Sequence, residues 1–273
     1  ISDATGVEFD KVEVVHGDTD EVPQGGITGG SRSVQLAGAA LWNASEVLVE
    51  QAKKIAAELL EASEADLSLD TVTGNFHVIG TPSIGVSWEH LADHLGEQNV
   101  GPRLLHAEEV FESEGPTFPF GTHVAVVEVD TETGKVDLER LVACDDAGVI
   151  LNPLLAAGQV HGGLAQGAAQ ALLEEFRYDE DGNPLTGNLA DYAVISAAEL
   201  PMFERVVLET PTHINPLGAK GIGESGTVGA TPAIQNAVID ALSHLGIRHL
   251  DMPMTPEKVW RSIKATEVSL PGS

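Results

Sequence analysis

A carboxylate inside a glycine-rich segment is the first candidate for chemistry in this sequence. Glu224 lies in Gly-Ile-Gly-Glu-Ser-Gly, residues 221–226, with Lys220 just before that run. Glycines let backbone approach a ligand closely, and a buried acid in such a loop can be tuned into a proton acceptor. An apolar helical run follows, and its positive dipole end would lie a few residues beyond the carboxylate. This arrangement is suited to abstraction of a proton from a bound hydroxyl or water.

The same six residues also fit the pattern G-x-G-x-x-G, which suggests a dinucleotide-binding turn. That turn needs a strand directly before the glycines, a helix directly after them, and an acid at a strand end about 20 residues on. Here the preceding strand is predicted to end near Thr210, and the acid at the right distance, Asp240, falls inside an apolar helix. The context therefore argues against a nucleotide site. A glycine loop shaped only for packing remains an alternative.

A second loop, Thr-Gly-Gly-Ser-Arg-Ser at residues 28–33, presents Ser31 and Ser33 at the start of a long predicted helix. Amide donors and the helix dipole at such a position bind phosphate or other anions. The alternative is an ordinary capped helix preceded by a flexible loop. Spacing alone favours that simpler interpretation.

The composition restricts the class of partner. Acidic residues outnumber basic ones 42 to 14, which gives a formal charge of −28. Such a surface repels nucleic acid and anionic membranes, so neither is expected as a partner. One explanation of the excess acid is adaptation to high salt, which screens self-repulsion. The single cysteine, Cys144, excludes an internal disulfide, no run of about 18 apolar residues predicts a membrane span, and a cytoplasmic location is expected.

The elements that must position these residues alternate between strands and helices. We predict a strand with its exit loop at 11–20, a strand pair near 67–80, a long hairpin over 124–148, and a strand at 204–211. Helices are predicted at 34–62, 87–95, 158–176, 231–246 and 255–265, the last two beginning at Thr-Pro pairs. Because the strands come in hairpins, an α+β fold of two compact subdomains is favoured over one doubly wound sheet. The Gly/Pro/Thr-rich segment 112–123 places the boundary between residues 1–115 and 116–273.

Several separated motifs together resemble a known family. The segments "GVILNPLLAAGQVHGGLAQG" and "NPLGAKGIGESG", with "VVHGDTD" and "GGSRS" before them, are similar to the C-terminal half of the molybdenum-binding large subunit of the xanthine dehydrogenase and aldehyde oxidase family. The similarity is strongest to the carbon monoxide dehydrogenase branch and runs from about Val12 to about Gly246. It implies that both subdomains belong to a molybdopterin-binding domain.

The resemblance implies roles for individual residues. Glu224 matches the family's active-site glutamate, which lies beside the molybdenum and acts as a base. Gln159 matches a glutamine that contacts the pterin cofactor. The loop residues Gly30, Ser31, Arg32 and Ser33 match a segment that binds the pterin end of that cofactor, and Gly223, like Lys220, would shape the loop around Glu224.

The resemblance further implies a molybdenum–molybdopterin cofactor in its dinucleotide form, with cytosine as the expected base. Iron–sulfur clusters and FAD would lie on partner subunits. The other expected partners are the N-terminal half of the large subunit and a small substrate, namely carbon monoxide, an aldehyde or an N-heterocycle. We expect this half to be inactive alone, whether it is a domain, a proteolytic piece or a split-gene product. The rival hypothesis is a non-catalytic scaffold or small-ligand-binding module that keeps the fold.

Other residues receive simpler interpretations. Cys144 is expected in the core, and the neighbouring Asp145 and Asp146 are expected to be a solvated pair at a strand end. No histidine spacing indicates a protein-ligated metal, so no metal ligand is assigned. His161, close to Gln159, is a candidate to face a substrate funnel.

Overall fold

A computed structural model describes residues 1–22, 25–97 and 105–269. The chain forms two compact units. The first comprises Ile1–Pro116 with His213–Leu217, and the second comprises Thr117–Thr212 with Gly218–Ser273. Each unit combines helices with a three-stranded sheet, which confirms the α+β class.

The first unit is built on a long helix and a small antiparallel sheet. Its elements are α1 (Ser2–Thr5), α2 (Ala39–Leu59), β1 (Leu67–Asp70), β2 (Asn75–Val78), β3 (Thr81–Ser87) and α3 (Trp88–Glu97). Strand β2 lies between β1 and β3 and is antiparallel to both. Alanines along one side of α2 are fully buried and pack in one cluster with Phe76 and Leu91. The Trp88 ring contacts Phe76 edge-on at 5.0 Å, and its Nε1 donates to the Thr5 carbonyl oxygen at 2.7 Å.

The second unit packs helices on one face of a mixed sheet. Its elements are β4 (Phe120–Val129), β5 (Val136–Asp146), α4 (Pro153–Leu172), β6 (Glu204–Leu208), α5 (Ser225–Leu242) and α6 (Pro256–Ser269). Strands β4 and β5 form the predicted hairpin, whereas β6 runs parallel to β5 instead of forming a hairpin. The main core lies between this sheet and the helices, with Leu141, Leu164, Ile234 and Val238 at its centre.

Helices α4 and α5 cross at glycines. A Cβ added to Gly226 would lie 2.7 Å from the Val160 carbonyl oxygen and 3.0 Å from the Gly163 Cα. One turn further on, Thr231 Oγ1 donates to the Gly167 carbonyl oxygen at 3.3 Å. The glycine- and alanine-rich sequence of α4 therefore serves close packing against α5.

Four element predictions were wrong. The helix predicted over 158–176 is α4, which begins five residues earlier, at Pro153, because Asn152 caps it, and ends at Leu172. Helix α5 begins at Ser225 and not at Thr231, because the contact between Gly226 and Gly163 holds the turns that precede Pro232. Helix α3 continues through Gly96 to Glu97. Residues 12–20 form no strand: their apolar alternation finds no neighbouring strand among the described residues, and Val14 and Val15 are exposed.

None of the helices within residues 1–22, 25–97 and 105–269 is both long enough and apolar enough to cross a membrane.

Candidate active site

The segment that carries Glu224 is attached to the connection between β5 and α4. The Gly218 carbonyl oxygen accepts hydrogen bonds from Val149 N at 3.0 Å and from Thr212 N at 3.1 Å, and Lys220 N donates to the Ala147 carbonyl oxygen at 2.8 Å. Gly218 has a φ of 64°, in the left-handed region that favours glycine. Backbone bonds therefore fix the first part of this segment.

Glu224 itself occupies the N-cap position of α5. Its carbonyl oxygen accepts the first helical hydrogen bond, from Val228 N at 3.1 Å, and its side chain makes no capping bond. The positive end of the helix dipole stabilises negative charge at this position. The residue is exposed, as is Gly223 before it. The glycine-rich sequence suggested a buried acid, whereas Glu224 is exposed at the start of α5 in this chain.

Lys220 and Asp146 form a buried ion pair behind this segment. Lys220 Nζ lies 3.0 Å from Asp146 Oδ1, with side chains 9% and 0% exposed, and 4.6 Å from the centre of the Phe120 ring. Burial acts to raise the pKa of the Asp146 carboxyl, but hydrogen bonds from Thr210, the Gly148 N–H and Lys220 outweigh it. The net effect lowers that pKa from 3.8 to about 2.

The adjacent acid, Asp145, forms a second buried pair on the helix-covered face of the sheet. Its Oδ1 lies 3.0 Å from His123 Nε2, and the two side chains are 5% and 3% exposed. The His123 ring is so close to Gly229 of α5 that a Cβ there would overlap it. The prediction that Asp145 and Asp146 are solvated was therefore wrong, because each acid has a buried cationic or imidazole partner that is distant in sequence.

The sequence held a partial signal for these pairs. Leu141 and Ala143 are buried on β5, and the strand period of two carries that buried face on to Asp145. A buried face that continues through an acid predicts a charged or hydrogen-bonding partner. The identity of that partner, His123 on β4, depends on the register of the hairpin.

Gln159 lies on the exposed side of α4, close to the same helix crossing. The helix begins at Asn152, whose side-chain oxygen accepts from Leu155 N at 3.1 Å, with Pro153 in the first turn. Gln159 directly precedes Val160, whose carbonyl oxygen is packed against Gly226. The structure therefore brings the backbone of Gln159 near the start of α5, where Glu224 lies. On either side of Gln159, no described atom lies within 4 Å of where a Cβ would stand on Gly158 or Gly162.

The serine loop at 28–33 lies in the first unit. Gly30 and Ser31 both have left-handed backbone, with φ of 64° and 54°, and this is uncommon for serine. The Ser31 carbonyl oxygen accepts from Gln35 Nε2 at 3.1 Å, and Ser33 Oγ donates to Thr28 Oγ1 at 3.3 Å. A π-helical turn, Val34–Gly38, follows and leads into α2. Arg32 and Ser33 are exposed.

The remaining predicted residues lie at half-buried or exposed positions. Cys144 is half-buried rather than in the core, because it lies on the sheet face opposite the helices. His161 is exposed, with its ring 6.1 Å from that of Phe203. In the part of the chain that the structure describes, no group of three or more His, Cys, Asp or Glu side chains could hold a metal ion.

Comparison with known proteins gives this site a family. Residues 1–201 match the molybdopterin cofactor-binding domain family. The carbon monoxide dehydrogenase large chain of Hydrogenophaga pseudoflava is 38% identical over 275 residues, which cover 99% of this chain and 34% of that protein. The nicotine 6-hydroxylase large subunit of Paenarthrobacter nicotinovorans is 35% identical, covering 96% of this chain and 33% of that subunit.

A solved structure agrees with the sequence matches. Reconstituted CO dehydrogenase from Oligotropha carboxidovorans superposes with a TM-score of 0.86 at 36% identity, over 98% of this chain and 34% of that one. The present chain therefore spans about a third of the length of these relatives. The family model covers the serine loop and the start of α4, the matches to whole proteins cover nearly the entire chain, and the chain belongs to the family of molybdopterin cofactor-binding domains.

Proposed function

We propose that this chain is the C-terminal part of the large subunit of a molybdenum hydroxylase, an oxidoreductase, and that Glu224 is its catalytic base. The observation that carries the proposal is the placement of Glu224. The Glu224 carboxylate follows Gly223 and lies at the N-terminus of α5. It is next to the helix crossing at Gly226, which is also close to Gln159. A scaffold has no physical need for an exposed acid held in this way.

The chain's residues fit the organic part of the cofactor. The successive left-handed residues Gly30 and Ser31 lie just before a helix start, where backbone amides and the helix dipole can bind anions. We propose that this loop, with Arg32 and Ser33, holds the cofactor's anionic groups, and that Gln159 uses its side-chain amide to hydrogen-bond the pterin. Each unit would then be one molybdopterin-binding subdomain, with residues 1–115 and 116–273 as their expected extents. The cytosine dinucleotide form is part of this proposal.

The chemistry divides between cofactor and protein. When it is bound to the protein, the molybdenum cofactor supplies a Lewis-acidic metal that accepts two electrons. The protein would supply a proton acceptor: we propose that the exposed carboxylate of Glu224 takes a proton from the attacking oxygen. Gly223 would shape the loop around it. Relatives named for carbon monoxide and nicotine indicate a small substrate, and carbon monoxide, an aldehyde or an N-heterocycle all suit the proposal.

The exposed surface favours a partner that completes the subunit. One face of the second unit's sheet leaves apolar residues exposed, namely Phe120, Val124, Val126, Val206 and Leu208.

We propose that the N-terminal half of the large subunit covers this sheet face, since exposed apolar patches of this kind mark interaction sites. An iron–sulfur subunit and an FAD subunit would carry the electrons onward. The single cysteine of this chain, Cys144, forms no internal disulfide, which suits the cytoplasmic location that we propose for the complex.

To test the proposal, the chain is produced together with the remainder of a large subunit and both partner subunits, and metal content, released nucleotide and turnover are measured. We expect bound molybdenum and a released cytosine nucleotide. Glu224→Gln should keep both and lower turnover by about 10²- to 10⁴-fold, because the amide cannot accept the proton. Glu180→Gln, at an exposed turn residue, is the matched control and should leave turnover unchanged. Full turnover by Glu224→Gln with molybdenum bound would exclude the base assignment, and absence of cofactor would favour the scaffold.

A further inference from the structure

The placement of Glu224 depends on two fixed points, one on each side of it in the chain. On the C-terminal side, Gly226 is packed against Gly163 and the Val160 carbonyl oxygen. On the N-terminal side, the Lys220 amide is bonded to Ala147 and its side chain is buried. Between Lys220 and Glu224, Ile222 packs against the main core, and its carbonyl oxygen accepts from Ser225 N at 3.3 Å and from Ser225 Oγ at 3.1 Å. Gly221 and Gly223 on either side of Ile222 restrain the backbone little.

The buried ion pair is the strongest element of the N-terminal fixed point. Lys220 Nζ meets Asp146 Oδ1 at 3.0 Å and lies over the Phe120 ring at 4.6 Å, so two adjacent strands hold one ammonium group. Asp146 Oδ1 also accepts from Gly148 N at 3.0 Å, which fixes the turn that carries Ala147. Removing one partner of such a pair leaves the other charge buried and uncompensated.

We propose that Lys220 and Asp146 are positioning residues, whose ion pair holds the glycine segment 218–223 on the end of β5 and so fixes the position of the Glu224 carboxylate. The inference rests on the proposed function of Glu224. Neither residue acts on substrate. They act through the backbone, because loss of the pair would leave the segment between Lys220 and Gly226 held on the sheet less firmly, by the packing of Ile222, while α5 stays packed on α4.

Hydrogen exchange on the 273-residue chain tests the structural part. Lys220→Met keeps the length of the side chain and removes its charge. We expect the amide exchange rate of peptides covering 218–224 to rise about tenfold more than that of the β5 core, residues 138–143. Local opening of the segment raises its exchange without a matching loss of global stability. Asp146→Asn, nearly isosteric, is the second variant should Lys220→Met fail to fold. Equal exchange changes in both regions, or no change in 218–224, would overturn the proposal.

The neighbouring buried pair supplies a matched control. Asp145→Asn disrupts the contact with His123 at the same strand end but on the opposite face of the sheet. This variant should change amide exchange in 218–224 only by the same factor as in the β5 core. Lys220→Arg, which retains the charge, should restore slow exchange in 218–224. If Asp145→Asn loosens the segment as Lys220→Met does, the effect belongs to the strand end in general and the assignment is wrong.

Turnover in the assembled complex separates this inference from the proposed function. Lys220→Met should lower kcat by roughly 10²-fold, with a much smaller change in KM and partial rescue by Lys220→Arg, because misplacement affects the reacting geometry. Glu224→Gln should leave hydrogen exchange of the segment unchanged. If Glu224→Gln keeps full turnover while Lys220→Met still loosens the segment, the catalytic role of Glu224 fails and the anchoring role stands. Unchanged kcat in a loosened Lys220→Met would overturn the positioning role.

Discussion

The two loops proposed to hold the cofactor are fixed in different ways. The glycine segment 218–224 is held by contacts distant in sequence, from strand β5, from the Asp146 carboxylate and from helix α4. The serine loop 28–33 is held by local bonds, from Gln35 and within the loop from Ser33 to Thr28. The difference fits their proposed tasks: a base must occupy one position relative to the reacting atom, whereas amides and hydroxyls around an anion can adjust to it.

The largest expected effect comes from filling the helix crossing that fixes the far side of Glu224. Gly226→Val places side-chain carbons against the Val160 carbonyl oxygen and Gly163, so we expect the free energy of unfolding to fall by about 1–3 kcal/mol. Chemical denaturation measures this. Gly158→Ala, on the same helix pair but with open space around it, is the control and should not destabilise the chain. Equal effects of the two changes would show that the crossing is not tightly packed.

Acid should weaken the fixed point on the near side of Glu224. The pKa of Asp146 is about 2 in the folded chain, below its ordinary value of 3.8. Because the folded pKa is the lower one, the stabilisation is complete above about pH 5 and is lost as pH falls through the folded pKa of about 2. It amounts to about 2 kcal/mol. Unfolding followed against pH should show this loss in the wild type and not in Asp146→Asn. A wild-type slope retained by Asp146→Asn would assign the acid sensitivity to other carboxylates.

The smallest effect is expected in the serine loop. Ser31→Ala and Ser33→Ala each remove one hydroxyl from an exposed or half-exposed site, so the chain's stability should change by less than about 0.5 kcal/mol. Cofactor content of the assembled complex should fall about two- to tenfold for each, the equivalent of one lost hydrogen bond. Ser113→Ala, in another exposed loop, should change neither quantity. Unaltered molybdenum content in the double variant would remove this loop from the cofactor site.

Local pattern was sufficient for much of the fold. The period of apolar residues predicted α2, and the alternation on both arms of the long hairpin predicted β4 and β5. The helix predicted over 158–176 is present as α4, although it begins at Pro153 behind the Asn152 cap. These signals hold because each element's hydrogen bonds are satisfied within it or by its immediate neighbour in the chain.

Predictions failed where packing outweighed local preference. Pro232 suits the first turn of a helix, yet α5 begins earlier because Gly226 fits against Gly163 on another helix. Asp145 and Asp146 look like solvated acids, yet each is buried against a partner far along the chain. The parallel pairing of β6 with β5 likewise depends on the crossover through α4.

The sequence by itself determined the residue types on which the proposed chemistry depends: Glu224 among glycines, Gln159 on a glycine-rich helix, and serines before a long helix. Their order also carried the family resemblance. Only the tertiary structure decided that Glu224 lies at the N-cap of α5, that Lys220 forms a buried pair with Asp146, and that α4 brings Gln159 to the same helix crossing. The reason is physical, since burial and charge pairing are properties of residues brought together from distant parts of the chain, and no local pattern encodes which partner will be there.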